Sequence, residues 1–391
     1  MSGRPRLTRE LSGAVADLGV LIPIAVALIV KNGLSATAVL LPAGGLYLLV
    51  AAIYRLPVPV QPLKALGAIA IAQGRGSDEI AAAAILMGVI FLVIGATGII
   101  DLAGRAFPKP LIRGVQLTVG LLFLKIAWGL VSDPPASFSA FALAPAWAVP
   151  LGVAVVVVAV LLRRRPVTLV LVGIGIAAML VRAGDELVPG PSALTIPSLD
   201  AATFWTAFTV LVIPQLPLSF ANSCLATADA ARSYFGDAAE RVRAGRLAMT
   251  LGSANVFAGA ISGMPVCHGA GGLTAHVAFG ARTWRAPAAM GTALVVVALG
   301  AGAGLVSVLP AFPLPILAGL LAVAGLLHIG LLRDLAGARA WAIALLVGGL
   351  GFGVNLLVAL VMGLVVWWLP VGARSLARRT AARRTAAHRV T

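Results

Sequence analysis

The chain has 391 residues, of which 60% are apolar and only 11% charged, with 44 glycines. Soluble domains run at about 45–50% apolar and about 25% charged, so the composition excludes a soluble enzyme, a nucleic-acid binder and a disordered protein. The formal net charge of +16 therefore bears on which loops carry the positive residues. Two cysteines, Cys224 and Cys267, make no disulfide framework.

In chain order, apolar stretches cover roughly 11–30, 36–54, 80–100, 111–131, 146–162, 166–182, 202–222, 245–261, 286–308, 312–332 and 338–369. Each has about the 20 residues that a membrane-crossing helix needs. Segments 58–73 and 265–279 are also apolar, but too short and too rich in Pro and Gly to cross as ordinary helices. The last stretch is either one long helix or two short ones broken at Gly348, Gly349, Gly351 and Gly353.

Charge decides between these. Fourteen segments with a cytoplasmic N-terminus put 23 of the 29 Lys and Arg on the cytoplasmic side, among them Arg9, Arg55, Arg163, Arg282, Arg333 and the arginines of the C-terminal tail. Only Lys31, Arg75 and Arg182 fall outside, with Lys64, Arg113 and Lys125 inside segments. That bias is the positive-inside rule, and the tail arginines also suit an anionic lipid surface.

The chain repeats itself. Phe107-Pro108-Lys109-Pro110 is matched by Phe312-Pro313-Leu314-Pro315, and at the same offset of 205 Gly114 matches Gly319 and Gly120 matches Gly325. Pro59-Val60 matches Pro265-Val266, and Leu21-Ile22-Pro23 resembles Val212-Ile213-Pro214. Seven segments per repeat is an odd number, so the halves have opposite orientation. The expected fold is an all-α polytopic membrane protein of two inverted seven-segment repeats, the plan of secondary transporters. Paired short segments interrupted by Pro and Gly are the pointer to the substrate site.

Segment 3 reads Leu56-Pro57-Val58-Pro59-Val60-Gln61-Pro62-Leu63-Lys64. Its prolines favour an extended approach, and Pro62 suits a first helical position. A half-helix then starts inside the membrane with free amides and the positive end of its dipole exposed. Segment 10 repeats the plan as Met264-Pro265-Val266-Cys267-His268-Gly269-Ala270-Gly271-Gly272, whose glycines let backbone donors approach a ligand. Two such N-termini make an anion site from backbone alone. Lys64 adds a full charge, and an intramembrane cation is functional by default; the alternative is that it snorkels or pairs with Asp17.

The remaining polar residues divide less sharply. Asp17 has three roles open to it: countering Lys64, carrying a coupling proton, or capping a break before Pro23. His268 and Asp229 are the other coupling candidates. Pro214 and Pro217 predict a kinked or unwound helix 8, where Gln215, Asn222 and Ser223 either bond an oxyanion or hold helices together. Arg113 and Lys125 read as residues of the membrane interface, and His276 and His328 as structural. No catalytic constellation, metal-ligand set or cofactor motif is apparent; Ser262 lacks the Gly-x-Ser-x-Gly context of a hydrolase.

These motifs, together with Glu10-Leu11-Ser12-Gly13-Ala14-Val15-Ala16-Asp17-Leu18-Gly19 and Phe279-Gly280-Ala281-Arg282, resemble the molybdate transporter family, which is related to the sulfate permeases and more distantly to nucleobase carriers. The resemblance spans the chain. It implies a core domain (1–110 and 201–309), a gate domain (111–200 and 310–370) and a tail at 371–391. It also implies substrate contacts from Gln61, Lys64, Cys267, His268 and Gly269, with helix 8 around Gln215 and Asn222; Pro62 and Gly271 belong to the same two motifs. A nucleobase carrier would be expected to have an acid in helix 8, where this chain has Gln215 and no acid before Asp229. The expected function is secondary active transport of molybdate or sulfate across a cell membrane, with both termini cytoplasmic and nucleic acid excluded as a partner. A channel on the same scaffold is the alternative; a proton as coupling ion and a homodimer remain open.

Overall fold

The computed structural model describes residues 7–100, 102, 107–163 and 165–369. Arg4, Arg6, Arg105, Arg164 and the C-terminal arginines of the topology argument lie outside these residues. The chain forms helices α1 (Leu7–Val30), α2 (Ala36–Tyr54), α3 (Lys64–Gln73), α4 (Ser77–Ala96), α5 (Lys109–Ser132), α6 (Pro145–Leu161) and α7 (Val167–Ala183). After a long loop come α8 (Ala201–Arg241), α9 (Ala244–Ala260), α10 (Ala270–Ala278), α11 (Arg285–Ala301), α12 (Leu314–Ile329), α13 (Ala338–Gly353) and α14 (Leu356–Leu369). Eight helical stretches among the described residues are long and apolar enough to cross a membrane. The outer surface of the helices carries Val181 at 87% exposure and Trp147 at 72%, an apolar coat that water would not tolerate and lipid does.

Local chemistry sets the boundaries. Ser35 and Asp200 cap α2 and α8, each accepting from the amide three residues on. That amide of Thr203 holds the Asp200 carboxyl below its ordinary range. Pro110, Pro145 and Pro315 occupy first-turn positions of α5, α6 and α12, where a missing amide costs nothing. The stretch 338–369 is two helices: the chain breaks at Val354, and Asn355 caps α14 by accepting from the Val358 amide at 2.8 Å. Helix 8 runs well past the expected 222. Pro214 and Pro217 deprive it of amides, and π-helical turns flank them at Ala207–Val212 and Ser219–Ala226.

Small residues let the helices pack closely, as membrane helices must. A Cβ on Gly88 of α4 would lie 2.7 Å from the Val256 amide of α9, and one on Gly291 of α11 would lie 2.8 Å from the Gly44 carbonyl of α2. Gly114 packs against Val347 of α13, and Gly319 against Val155 of α6. A Cβ on Gly120 of α5 would lie 2.9 Å from the Gly325 carbonyl of α12, and the reverse distance is also 2.9 Å. One apolar cluster joins α2, α4, α8, α9 and α11 through residues such as Leu46, Phe91, Leu211, Leu251 and Met290. A second joins α5, α6, α7 and α12 through Phe123, Ala159, Val172 and Leu317.

The all-α expectation needs one amendment. The extended runs before α3 and α10 pair as two short antiparallel strands, β1 (Gln61–Pro62) and β2 (Val266–Cys267), with Gln61 opposite Cys267 and Pro62 opposite Val266.

Candidate functional site

Prolines keep the approach to α3 extended and strip it of amides. Irregular backbone buried in a membrane protein must find its partners within the protein, and here it does. Asn255 of α9 clamps Val266, donating to its carbonyl and accepting from its amide, both at 2.8 Å. The Leu63 amide donates to the Pro265 carbonyl at 3.0 Å. Side chains of the second short segment answer the proline carbonyls of the first: His276 Nδ1 donates to Pro57 at 2.9 Å, His268 Nδ1 to Pro59 at 3.1 Å, and Cys267 Sγ to Pro62 at 3.4 Å.

A carbonyl only accepts, so Nδ1 of His268 carries the proton. Its Nε2 then accepts from the Thr250 hydroxyl at 2.9 Å, which in turn meets the Tyr54 hydroxyl at 2.8 Å. Both ring nitrogens of His268 are thus engaged in holding the bridge.

At the start of α3, Lys64 is 8% exposed. Its Nζ donates to Gln61 Oε1 at 2.5 Å and lies 5.5 Å from the centre of the Phe123 ring. Gln61 Nε2 donates to Asp17 Oδ1, which lines up Asp17, Gln61 and Lys64. Gln215 caps the helix: its Oε1 accepts from the amides of Ala65 at 2.8 Å and Leu66 at 3.0 Å, while its Nε2 donates to Ser219 at 2.9 Å. Two donors expected to face an anion therefore hold a neutral carbonyl oxygen.

The first turn of α10 lies against this row. Its amides at Ala270, Gly271 and Gly272 precede the first i to i−4 bond, from Leu273 to Gly269. A Cβ on Gly272 would lie 2.6 Å from Gln61 Nε2 and 2.7 Å from Asp17 Oδ2; one on Gly271 would meet the Phe123 ring at 3.1 Å and the His328 ring at 3.5 Å. Gly269 faces Gln61 and Asn222 in the same way. Around this turn, Asp17 Oδ2, Asn222 Oδ1, Ser223 Oγ and both ring nitrogens of His328 are buried with no hydrogen-bond partner among the described residues. The chemistry on offer is one cation, helix-start amides, an amide side chain, a hydroxyl, an imidazole and the carboxylate oxygen of Asp17.

Gln61, Pro62, Lys64, Gln215, Cys267, His268, Gly269, Gly271 and Asp17 thus come together, with Asn222 beside Gly269. Asp229 goes elsewhere. It pairs with Arg113 at 2.5 Å, and Arg113 also holds Asp334 with two nitrogens, at 2.8 and 2.5 Å, while Lys109 reaches Asp334 at 2.9 Å. Arg113, expected at the membrane interface, is instead 1% exposed; two carboxylates make that burial tolerable. Lys125 is exposed, over the ring of Phe352. His328, read from the sequence as structural, and Phe123, which the sequence did not single out, also face this turn; one histidine or phenylalanine in an apolar helix carries no local signal.

A family model described as "Molybdate transporter of MFS superfamily" matches residues 9–123 and 207–327. Molybdate transporter 1 of Arabidopsis thaliana is 30% identical over 356 residues, covering 81% of this chain and 78% of that protein. Molybdate transporter 1 of Chlamydomonas reinhardtii is 29% identical, covering 86% of each. Among solved structures, the transmembrane domain of a cyanobacterium bicarbonate transporter, BicA, superposes with a TM-score of 0.56 at 18% identity, over 94% of this chain and 98% of that one. Murine Slc26a9, an anion transporter in the inward-facing state, gives 0.60 at 14% identity, over 96% and 70%. At such identities the likeness establishes the fold alone.

Proposed function

Because the chain belongs to the molybdate transporter family, we propose that it is a secondary active transporter of a tetrahedral oxyanion, molybdate before sulfate, working by alternating access in a cell membrane. It is a transporter and not an enzyme, as its family and relatives are. The observation that carries the substrate class is the buried Lys64 ammonium beside the uncapped first turn of α10. A buried cation and helix-start amides together favour an anion. Asn222, Ser223 and His328 supply further polar contacts, while Gln61, Cys267 and His268 hold the two short helices in place.

Helices α1 to α14 are the fourteen segments of two inverted repeats in this reading. The pairing of α4 with α9 and of α11 with α2, and of α5 with α13 and α12 with α6, is what a two-fold relation between the halves requires, and it supports the reading. Helices α1–α4 and α8–α11 form the core domain; α5–α7 and α12–α14 form the gate against which it moves. Both termini are cytoplasmic. A proton is the coupling ion, and the unpartnered Asp17 Oδ2 favours Asp17 over His268 and Asp229, whose groups are engaged.

Titration of the purified protein with molybdate tests this. Lys64→Ala removes a charge-assisted contact of about 1.5–3 kcal/mol, so affinity should fall roughly 10- to 100-fold. An unchanged dissociation constant overturns the role of Lys64. Competition by uracil, but not by sulfate, overturns the oxyanion class.

A further inference from the structure

A cavity of about 630 Å3 opens between α10 and α12. Thr274 and Val277 of α10 form one wall, Leu326, Leu327 and Gly330 the other, and Arg9, Arg163, Arg282 and Arg333 stand around it with Tyr234. No acidic residue lines it. Glu10, outside the lining, sits beside Arg282, its carboxylate accepting from the backbone amides of Arg282 and Thr283, each at 3.2 Å. Arg163 and Arg333 have no ion-pair partner among the described residues. Arg282 is fixed in place, donating to the carbonyls of Val277 at 2.7 Å and Ala281 at 3.1 Å.

The inner end of the cavity abuts the Lys64 site without merging with it. Thr274 lies one turn beyond Gly271, and Leu327 adjoins His328; Lys64, Gln61 and Asn222 are not in the lining. Gly271, Phe123 and His328, which pack closely together, are likewise absent from the lining. The volume holds about twenty waters at ~30 Å3 each, so an anion can enter with its hydration shell. Four like charges around a concave space attract such an anion at a distance, and salt screens that attraction.

We propose that this arginine-lined cavity is a second oxyanion site, distinct from the one at Lys64, where an anion is held hydrated between solution and the inner site. The proposal rests on the oxyanion-transport reading but concerns different residues. An anion here is bound by charge and loosely, whereas one at Lys64 is dehydrated and contacted directly.

Equilibrium dialysis of the purified full-length protein against molybdate at low and high salt tests it. The wild type should bind two molybdates per chain at low salt and one at high salt. Arg163→Gln with Arg333→Gln should weaken the salt-sensitive site on the order of tenfold, leaving one molybdate at either salt. Arg163→Lys with Arg333→Lys keeps the charge and should behave as wild type, which separates loss of charge from loss of fold. Lys64→Ala should retain only the salt-sensitive molybdate. A glutamine pair that still binds the second, salt-sensitive molybdate overturns the proposal, as does a wild type with a single site at low salt. A wild type that binds no molybdate, yet binds sulfate in a salt-sensitive manner lost in the glutamine pair, supports this site while overturning the molybdate reading of the other.

Discussion

Lys64 and His328 converge on the same turn of α10 from helices 264 positions apart in the chain, and they differ in how visible they are beforehand. A lysine inside an apolar run announces itself, since its burial is costly without a purpose. A histidine in such a run does not, because its neutral ring packs like any aromatic residue. Only the folded chain reveals that both nitrogens of His328 are buried and unanswered among the described residues. Such a group costs about 1–3 kcal/mol unless a partner arrives. His328→Ala should therefore leave thermal stability nearly unchanged and weaken molybdate binding roughly tenfold, while His328→Asn, which keeps donors, should lose less. Titration calorimetry on the three proteins checks this; equal affinities would reduce His328 to packing.

The β1–β2 bridge couples two short helices that neither half of the chain could hold alone. The repeat and the Pro-rich approaches were legible, because both are written in the order of residues. The bridge was not: two-residue strands have no periodicity, and their partners, Gln61 with Cys267 and Pro62 with Val266, lie more than 200 positions apart. Nor was the clamp, since Asn255 sits in a helix where asparagine has many uses. Its two bonds to Val266 satisfy groups that have no water to turn to. Asn255→Leu strands a buried amide and a buried carbonyl at about 1–3 kcal/mol each, so the unfolding midpoint in detergent should drop by several degrees. Anion binding should fall with it even though every contacting residue is intact. A variant that melts and binds as wild type would show that the bridge holds without its clamp.

Across the whole chain, the glycines matched in the sequence occupy matched environments: Gly114 and Gly319 each seat a valine from α13 and α6, and Gly120 and Gly325 each face the other's carbonyl. Arg113 ties α5 to α8 through Asp229 and to the turn that follows α12 through Asp334, so the two apolar clusters are joined by charge as well as by packing. The Gln215 cap has a consequence for the direction of traffic. A carrier whose amides were left bare when unloaded could cycle only with cargo aboard, trading one anion for another. On the proposed reading a neutral oxygen holds the amides of Ala65 and Leu66 whether or not cargo is aboard, so only the start of α10 is bare in the unloaded protein, which should then be able to return. Vesicles with no anion inside should then fill with labelled molybdate about as fast as preloaded ones, and Gln215→Leu should make filling depend on preloading. If wild-type protein fills only preloaded vesicles, the glutamine is no stand-in; if it fills both, this chain accumulates where a strict exchanger would merely swap.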